Sequence, residues 1–425
     1  MRVYFSGIGG VGIGPLAQLA LDAGYEVSGS DLKESELTNA LEKQGVNVAI
    51  GQDGSQIQAV HGESPIDWFV YSSALADNHP ELVFAKKSGI KTSKRAEFLN
   101  LILKEKKLKL VAVAGTHGKT TTTGMLIWLF KQLGLPVSYS VGTTLSFGPS
   151  AQYQKNSQYF IYECDEFDRN FLEFKPDLSL IVSMDYDHPD TYPTKEEYSA
   201  AFSQFATQSK LCVTWEAISE ELSSDGHLFV LPDETNCSGI TLAGEHTRRN
   251  GWLAATVINR LELVKNDLQD WDMLLQKISA FPGTNRRFEK LTENLYTDYA
   301  HHPNEISATI QMAKELNKNV VVIYQPHQNI RQHELLEEHA YSRCFFEAAH
   351  VYWLPTYLSR EYKDLPILTP QELIDSIDNN GSVSPAEMDD ELWEKIKSHL
   401  TNGDLVVAMS AGDLDAWLRT QSSAL

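Results

Sequence analysis

Apolar and polar positions along this chain alternate in short bursts whose period keeps switching between two and three to four residues. Val3–Ser6 has the apolar character of a buried strand. It runs into Gly7-Ile8-Gly9-Gly10-Val11-Gly12, then a helical stretch, Pro15–Ala23, that stops at Gly24. A second strand, Glu26–Gly29, leads to Asp31, and a third, Trp68–Tyr71, ends in Ser72-Ser73-Ala74. From Leu110 the pattern restarts with strand Leu110–Ala114, a glycine turn and helix Thr121–Leu133, followed by strands Tyr159–Glu163 and Leu178–Ser183. The spacing of Met125, Leu126, Leu129, Phe130 and Leu133 marks the core face of that helix. After Phe281-Pro282-Gly283, strands are predicted at Leu295–Asp298, Val320–Tyr324, His350–Leu354 and Leu405–Met409. Strands alternating with helices predict an α/β chain of mostly parallel sheets. Boundaries are expected at 1–107, 108–283 and 284–425, with the charged stretch Lys104-Glu105-Lys106-Lys107 as a solvated linker.

Two of these strand-to-helix turns carry chemistry. Residues 115–120, Gly-Thr-His-Gly-Lys-Thr, follow a buried strand and open a helix, which is the wiring of a phosphate-binding loop. Lys119 is placed to reach the β/γ-phosphates of a nucleotide and Thr120 to ligate Mg²⁺. The loop is two residues tighter than the standard pattern, whose first glycine falls here on Val113. The earlier turn reads G-x-G-x-x-G with Asp31 beyond it, a fingerprint for a diphosphate that does not distinguish NAD from a UDP-sugar.

Acidic clusters follow two further strands, Glu163-Cys164-Asp165-Glu166-Phe167-Asp168 and Asp185-Tyr186-Asp187-His188-Pro189-Asp190. A magnesium nucleotide needs one or two carboxylates beside the loop threonine, and these clusters can supply them. Arg286-Arg287 offers positive charge suited to a transferring phosphoryl group. His301 and His302 are adjacent, so on a strand they point to opposite faces and cannot share one ion.

Composition narrows the partners. A formal net charge of −21 excludes the basic footprint that nucleic acid or an anionic membrane requires. No window reaches the ~18 uninterrupted apolar residues of a spanning helix, and the N-terminus enters a strand directly rather than a signal peptide. The four cysteines lack metal or disulfide spacing, which predicts a reducing, cytoplasmic setting in which they pack as small hydrophobes.

Taken together, these motifs resemble the Mur ligase family over essentially the whole chain. The resemblance rests on Gly7–Gly12, Ser30-Asp31, Ser72-Ser73-Ala74 with Asp77-Asn78, Ala114–Thr123, and Glu163 with Asp165, Glu166 and Asp168. It continues through Asp187-His188 with Asp190-Thr191-Tyr192, Gly244 with His246 and Asn250, and Gly283-Thr284 with Arg286-Arg287-Phe288. Its last members are Asp298-Tyr299 with His301-His302-Pro303 and Glu305, and Gln325-Pro326-His327. The family's loop is the shorter form, which accounts for Val113.

The resemblance implies three domains: an N-terminal Rossmann-like domain for a UDP-sugar, a central P-loop ATPase, and a C-terminal Rossmann-like domain for an amino acid. The implied reaction uses ATP and Mg²⁺ to phosphorylate the lactyl carboxylate of UDP-N-acetylmuramate, after which the amine of L-alanine displaces phosphate. Oligomeric state is left open. The residues it implies for the UDP-sugar are Gly7, Gly9, Gly10, Gly12, Asp31, Ser72 and Ser73. For ATP they are Gly115, Thr116, His117, Gly118, Lys119, Thr120, Thr121, His246, Asn250, Arg287 and Asp298. Thr120, Glu163 and His188 match metal positions, and Tyr299, His301, His327 and Arg331 match the amino-acid end. The catalytic set so implied is Lys119, Glu163, His188, Arg287, His301, His327 and Arg331, without a named general base.

Departures from the family pattern bear on the amino acid. Gln328 stands where the alanine-adding branch usually has arginine, which removes charge-assisted bonds near the incoming carboxylate. The usual Asn-Gly-Gly is Val141-Gly142-Thr143, His246-Asn is His246-Thr247, and the span from Lys210 to Gly244 is short. Ala200-Ala201-Phe202-Ser203 offers no lysine for the carbamylation used by later family members, which favours the alanine-adding branch. The alternatives are a recycling ligase that attaches a tripeptide, an NAD-dependent oxidoreductase suggested by the first glycine loop alone, and a non-catalytic nucleotide-binding module.

Overall fold

Strands Arg2–Ser6 (β1), Glu26–Asp31 (β2), Asn47–Ile50 (β3), Trp68–Tyr71 (β4) and Lys91–Lys94 (β5) pair in the order β3-β2-β1-β4-β5, every pair parallel. The computed structural model describes residues 1–423 apart from 73, 189, 190, 225, 266, 360, 362, 363 and 379. The central strand is buried on both faces. Val3 and Phe5 enter one core and Tyr4 the other, as a period of two requires. The chain runs outward from β1 to β2 and β3 and then crosses back to β4 on the other side of β1, so the crevice beyond Ser6 and Tyr71 is the switch point where ligands of open α/β sheets bind.

A second sheet contains Lys109–Ala114 (β6), Ser138–Ser140 (β7), Ala151–Gln152 (β8), Tyr159–Glu163 (β9), Leu178–Ile181 (β10), Cys212–Trp215 (β11) and Leu228–Leu231 (β12). Its order is β12-β11-β10-β6-β9-β7-β8, parallel except at the β7–β8 pair. A third contains Glu289–Thr292 (β13), Leu295–Asp298 (β14), Val320–Gln325 (β15), His350–Trp353 (β16), Val383–Pro385 (β17) and Leu405–Ser410 (β18). It runs β13-β14-β18-β15-β16-β17 and is antiparallel only at β13–β14 among the described residues.

The chain forms two compact units, Met1–Thr235 with Leu253–Ile278, and Asn236–Trp252 with Ser279–Leu425. The first two sheets fall in one unit because they share a core. Leu16, Phe98, Leu99 and Ile102 cluster with Phe160, Tyr162, Phe171 and Phe174. Asn100 Nδ2 donates to the carbonyl of Glu173 at 3.0 Å, and Tyr153 N donates to Asp22 at 3.1 Å, tying the two segments further. The stretch Lys104–Lys107, expected as a linker, is instead the end of helix Arg95–Glu105 and its cap. Lys106 Nζ closes onto the carbonyl of Ala23 at 2.7 Å, while Lys104, Glu105 and Lys107 are exposed, as a solvated stretch requires. Among the described residues no helix is long and apolar enough to cross a membrane. All four cysteines are free and buried, as expected for small core hydrophobes.

One polar cluster is set into the first sheet. The carboxylate of Glu81, fully buried, accepts from Tyr4 Oη (2.9 Å), Ser6 Oγ (2.6 Å) and Ser30 Oγ (2.6 Å). The amide of Gln52 donates to both serines, so each hydroxyl has a defined direction. Glu81 lies in the first turn of helix Pro80–Lys87, where the helix dipole favours its charge. Glu81→Ala strands three buried hydroxyls, and thermal unfolding should show a loss of about 3 kcal/mol. A change in melting temperature no larger than that of a surface substitution contradicts this account.

Candidate active site

The phosphate loop leaves β6 at Ala114 and is shaped by two glycines. Gly115 has φ +140°, and a Cβ there would lie 2.8 Å from the backbone nitrogen of Ser183. Gly118, at φ +78°, caps helix Lys119–Gln132, which begins two residues earlier than its apolar pattern predicts. The chain after β10 holds the loop from the side. His117 N donates to Ser183 Oγ at 2.7 Å, Ser183 Oγ donates to the His117 carbonyl at 3.0 Å, and Thr116 Oγ1 donates to the Asp185 carbonyl at 2.7 Å. His117 Nε2 also lies 3.5 Å from Asp185. The helix therefore presents its positive N-terminal end, with Thr121 in its first turn, to an anion at a preformed turn.

Lys119 and Thr120 each meet a carboxylate. Lys119 Nζ donates to both oxygens of Glu166, at 3.0 and 2.7 Å, and to the Gly115 carbonyl at 2.6 Å. Burial pulls this ammonium down, but the carboxylates of Glu166, Asp165 and Glu163 outweigh it and hold Lys119 above its ordinary value. Thr120 Oγ1 donates to Glu163 Oε1 at 2.7 Å, and Gly142 N donates to Glu163 Oε2 at 2.6 Å. A Cβ on Gly142 would sit 2.9 Å from that carboxylate, so the glycine makes room for it. A hydroxyl and a carboxylate side by side at the loop mouth are the hard oxygen donors that a nucleotide-borne Mg²⁺ takes from protein. His188 has φ +58°, with Nε2 3.7 Å from Glu166 and its ring edge-on to Phe167.

In the first sheet, Gly7 N and Ile8 N donate to the Ser30 carbonyl, and Gly9 N donates to Asp31 Oδ2 at 2.8 Å. Asp31 thus braces the glycine loop itself, where a dinucleotide fold would turn this acid to a ribose. Gly10 N bonds back to the Gly7 carbonyl, and a Cβ on Gly12 would lie 3.0 Å from Arg95 Nη1. Ser72 follows β4 at the switch point and accepts from Leu75 N. Ser73 lies outside the described residues.

The second unit gathers its residues at the C-terminal ends of β14, β15 and β18. Arg286 is tied to the carbonyls of Ser410 (2.9 Å) and Gly412 (3.2 Å). The Arg287 guanidinium makes no hydrogen bond or ion pair with a described residue, and it lies 4.9 Å from the centre of the Tyr299 ring. His301 stands edge-on to Tyr299 and to His327, and His327 stacks on Tyr357 at 5.7 Å. Arg331 pairs with Glu334 at 2.7 Å, and Gln328 opens its helix at φ +59°. Both oxygens of buried Asp298 accept backbone N–H groups, from Phe288 at 2.6 Å and Ala300 at 2.7 Å. His246 and Asn250 are four apart on helix Glu245–Arg260 and so share a face. His246 Nδ1 is buried without a partner, the state expected of a nitrogen that awaits a ligand.

With this geometry in view, the comparisons with known proteins are decisive for the family. Family models match residues 2–107 as Mur ligase catalytic domain, 113–217 as Mur ligase middle domain and 286–412 as Mur ligase glutamate ligase domain. The chain belongs to the Mur ligase family. This Mur ligase is 33% identical to the UDP-N-acetylmuramate–L-alanine ligase of Clostridium perfringens, over 97% of this chain and 96% of the relative. It is 30% identical to the enzyme of that name from Carboxydothermus hydrogenoformans, over 98% and 95% of the two chains. Among solved structures it resembles the UDP-N-acetylmuramate–alanine ligase of Thermotoga maritima, with a TM-score of 0.73 and 24% identity over 100% and 99% of the chains. A murein peptide ligase from Psychrobacter arcticus shares the fold, with a TM-score of 0.63 and 22% identity over 100% and 98%.

Several positions of this Mur ligase site have no local sequence signal. Ser183 clamps the loop through contacts some 66 positions away in sequence. Tyr357, the stacking partner of His327, is an unremarked aromatic in an irregular stretch. Glu166 was visible only as one member of an acidic run, which does not say which carboxylate takes the lysine.

Two buried groups give the second unit opposing pH responses. Burial holds His246 at about 4, below its ordinary 6.5, so the unfolded chain takes up that proton first and stability is lost as pH falls from 6.5 toward 4. Burial raises Asp298 to about 6 despite Arg287 nearby, so its contribution is present below 3.8 and lost as pH rises through 6. His246→Gln should therefore gain stability relative to the parent at pH 4.5 compared with pH 7, and Asp298→Asn should show the reverse. Each slope approaches about 1.4 kcal/mol per pH unit. Melting curves at the two pH values check both signs.

Proposed function

We infer that this Mur ligase is an ATP-dependent ligase that joins L-alanine to the lactyl carboxylate of UDP-N-acetylmuramate in peptidoglycan precursor synthesis. The observation that carries this is a lysine-bearing phosphate loop whose threonine adjoins Glu163, in a chain related to L-alanine ligases along 97% of its length. A carboxylate is a poor acceptor for an amine because its leaving group is oxide. Its oxygen attacks the γ-phosphorus and ADP leaves; the amine then attacks the acyl carbon, inorganic phosphate departs and the amine gives up a proton, leaving the amide.

Lys119 neutralises the charge that builds on the β–γ bridge and β-phosphate oxygens as the γ-phosphoryl group leaves ADP. Thr120 and Glu163 would hold a Mg²⁺ that arrives with the nucleotide, and Glu163 with His188 a second. The ion supplies charge neutralisation at the transferring group. Arg287, with its guanidinium uncommitted, is assigned to the terminal phosphate. His246 and Asn250 are assigned to adenine, and Tyr299, His301, His327 and Arg331 to the amino acid. The four free cysteines suit a reducing, cytoplasmic compartment.

Phosphate release from ATP in the presence of UDP-N-acetylmuramate tests the reading directly, with single amino acids and the tripeptide L-Ala-γ-D-Glu-meso-diaminopimelate scanned in turn. Release with L-alanine is expected. Release with the tripeptide and with no single amino acid would point to the recycling ligase instead.

A further inference from the structure

The glycine loop of the first sheet leaves two amides with no acceptor among the described residues. Gly7, Ile8, Gly9, Gly10, Ile13 and Gly14 all direct their amides to acceptors within the loop or to Ser30 and Asp31. The amides of Val11 and Gly12 have no acceptor among the described residues. Arg95 reaches the same spot from the end of β5, its Nη1 3.0 Å from where a Gly12 Cβ would stand. That guanidinium makes no hydrogen bond or ion pair with any described residue, although the chain carries 57 acidic against 36 basic side chains. Arg95 is also the first residue of its helix, the end at which the helix dipole disfavours a cation. Nothing local accounts for its position.

We propose that Arg95 is the cationic partner of the nucleotide sugar's diphosphate, binding it together with the amides of Val11 and Gly12. This rests on the reading of the first sheet as the UDP-sugar site. An acidic protein must meet a diphosphate with concentrated local charge, and a planar guanidinium beside a loop with two uncommitted amides provides it. With Asp31 turned to Gly9, the loop has an anion of its own already neutralised by hydrogen bonding and leaves Arg95 to the ligand.

The test uses the full chain, with UDP and ADP as probes in calorimetry. Arg95→Gln should weaken UDP by roughly 10- to 100-fold and leave ADP unchanged. Arg95→Lys should recover part of the loss, and the parent's affinity for UDP should fall more steeply with salt than that of Arg95→Gln. Unchanged UDP affinity in Arg95→Gln, or an equal loss for ADP, overturns the proposal. A parent protein that binds ADP but not UDP overturns the underlying reading of the first sheet as well, so the two failures are distinguishable.

Discussion

Lys119→Ala should abolish ATP-dependent phosphate release, by about 10³-fold or more, while UDP-N-acetylmuramate still binds with close to parental affinity. The first effect follows from removing the ammonium held at the mouth of the loop, at 2.7 Å from Glu166 and 2.6 Å from the Gly115 carbonyl. The second follows from the separate sheet that carries the glycine loop. The substitution also leaves Glu166, which is 1% exposed, as a buried carboxylate without its counter-ion. Breaking such a pair costs about 3–5 kcal/mol, so the single variant should melt earlier. Lys119→Ala combined with Glu166→Gln removes both charges. It should recover much of the melting temperature and none of the turnover, which separates the catalytic loss from the structural one. Loss of UDP-sugar affinity in the folded double variant contradicts the division of labour between the two sheets.

Glu163→Ala carries the next largest effect. This carboxylate accepts from Thr120 and from Gly142 at once, so its loss releases the turn opposite the loop and, on the proposed reading, removes an ion ligand. Turnover should fall by about 10²- to 10³-fold, and the Mg²⁺ concentration for half-maximal rate should rise. Glu163→Gln keeps the shape and one acceptor, so it should fold like the parent and still require more Mg²⁺. A parental Mg²⁺ titration in Glu163→Gln removes this residue from the metal site.

Much of the scaffold was legible because strand burial leaves a local trace. Trp68–Tyr71, Tyr159–Glu163 and Leu295–Asp298 coincide with their predicted ranges, each an apolar run bounded by turn residues. Strands such as Lys91–Lys94 and Asn47–Ile50 escaped, because an edge strand that is half exposed need not look apolar. Both glycine loops were readable because a tight turn before a helix restricts residue type. Pairings across the fold were not. Neither the Lys119–Glu166 contact nor the approach of Arg95 to Gly12 has a spacing rule, since each depends on how the two sheets share side chains. The same shared core explains why Lys104–Lys107 looked like a linker. Its charges are the visible rim of a helix whose other face, including Phe98, Leu99 and Ile102, is buried between the sheets.

That common core also makes the first unit a ruler. The glycine loop beyond β1 and the phosphate loop beyond β6 stand on sheets that cannot shift independently without opening a cluster that includes Phe98, Phe160 and Phe174. Interiors of this kind are close-packed and resist deformation. On the proposed assignment of the two loops, the interval from diphosphate to γ-phosphate is thereby a property of the fold, and a nucleotide sugar would qualify by the length of its arm as well as by its chemistry.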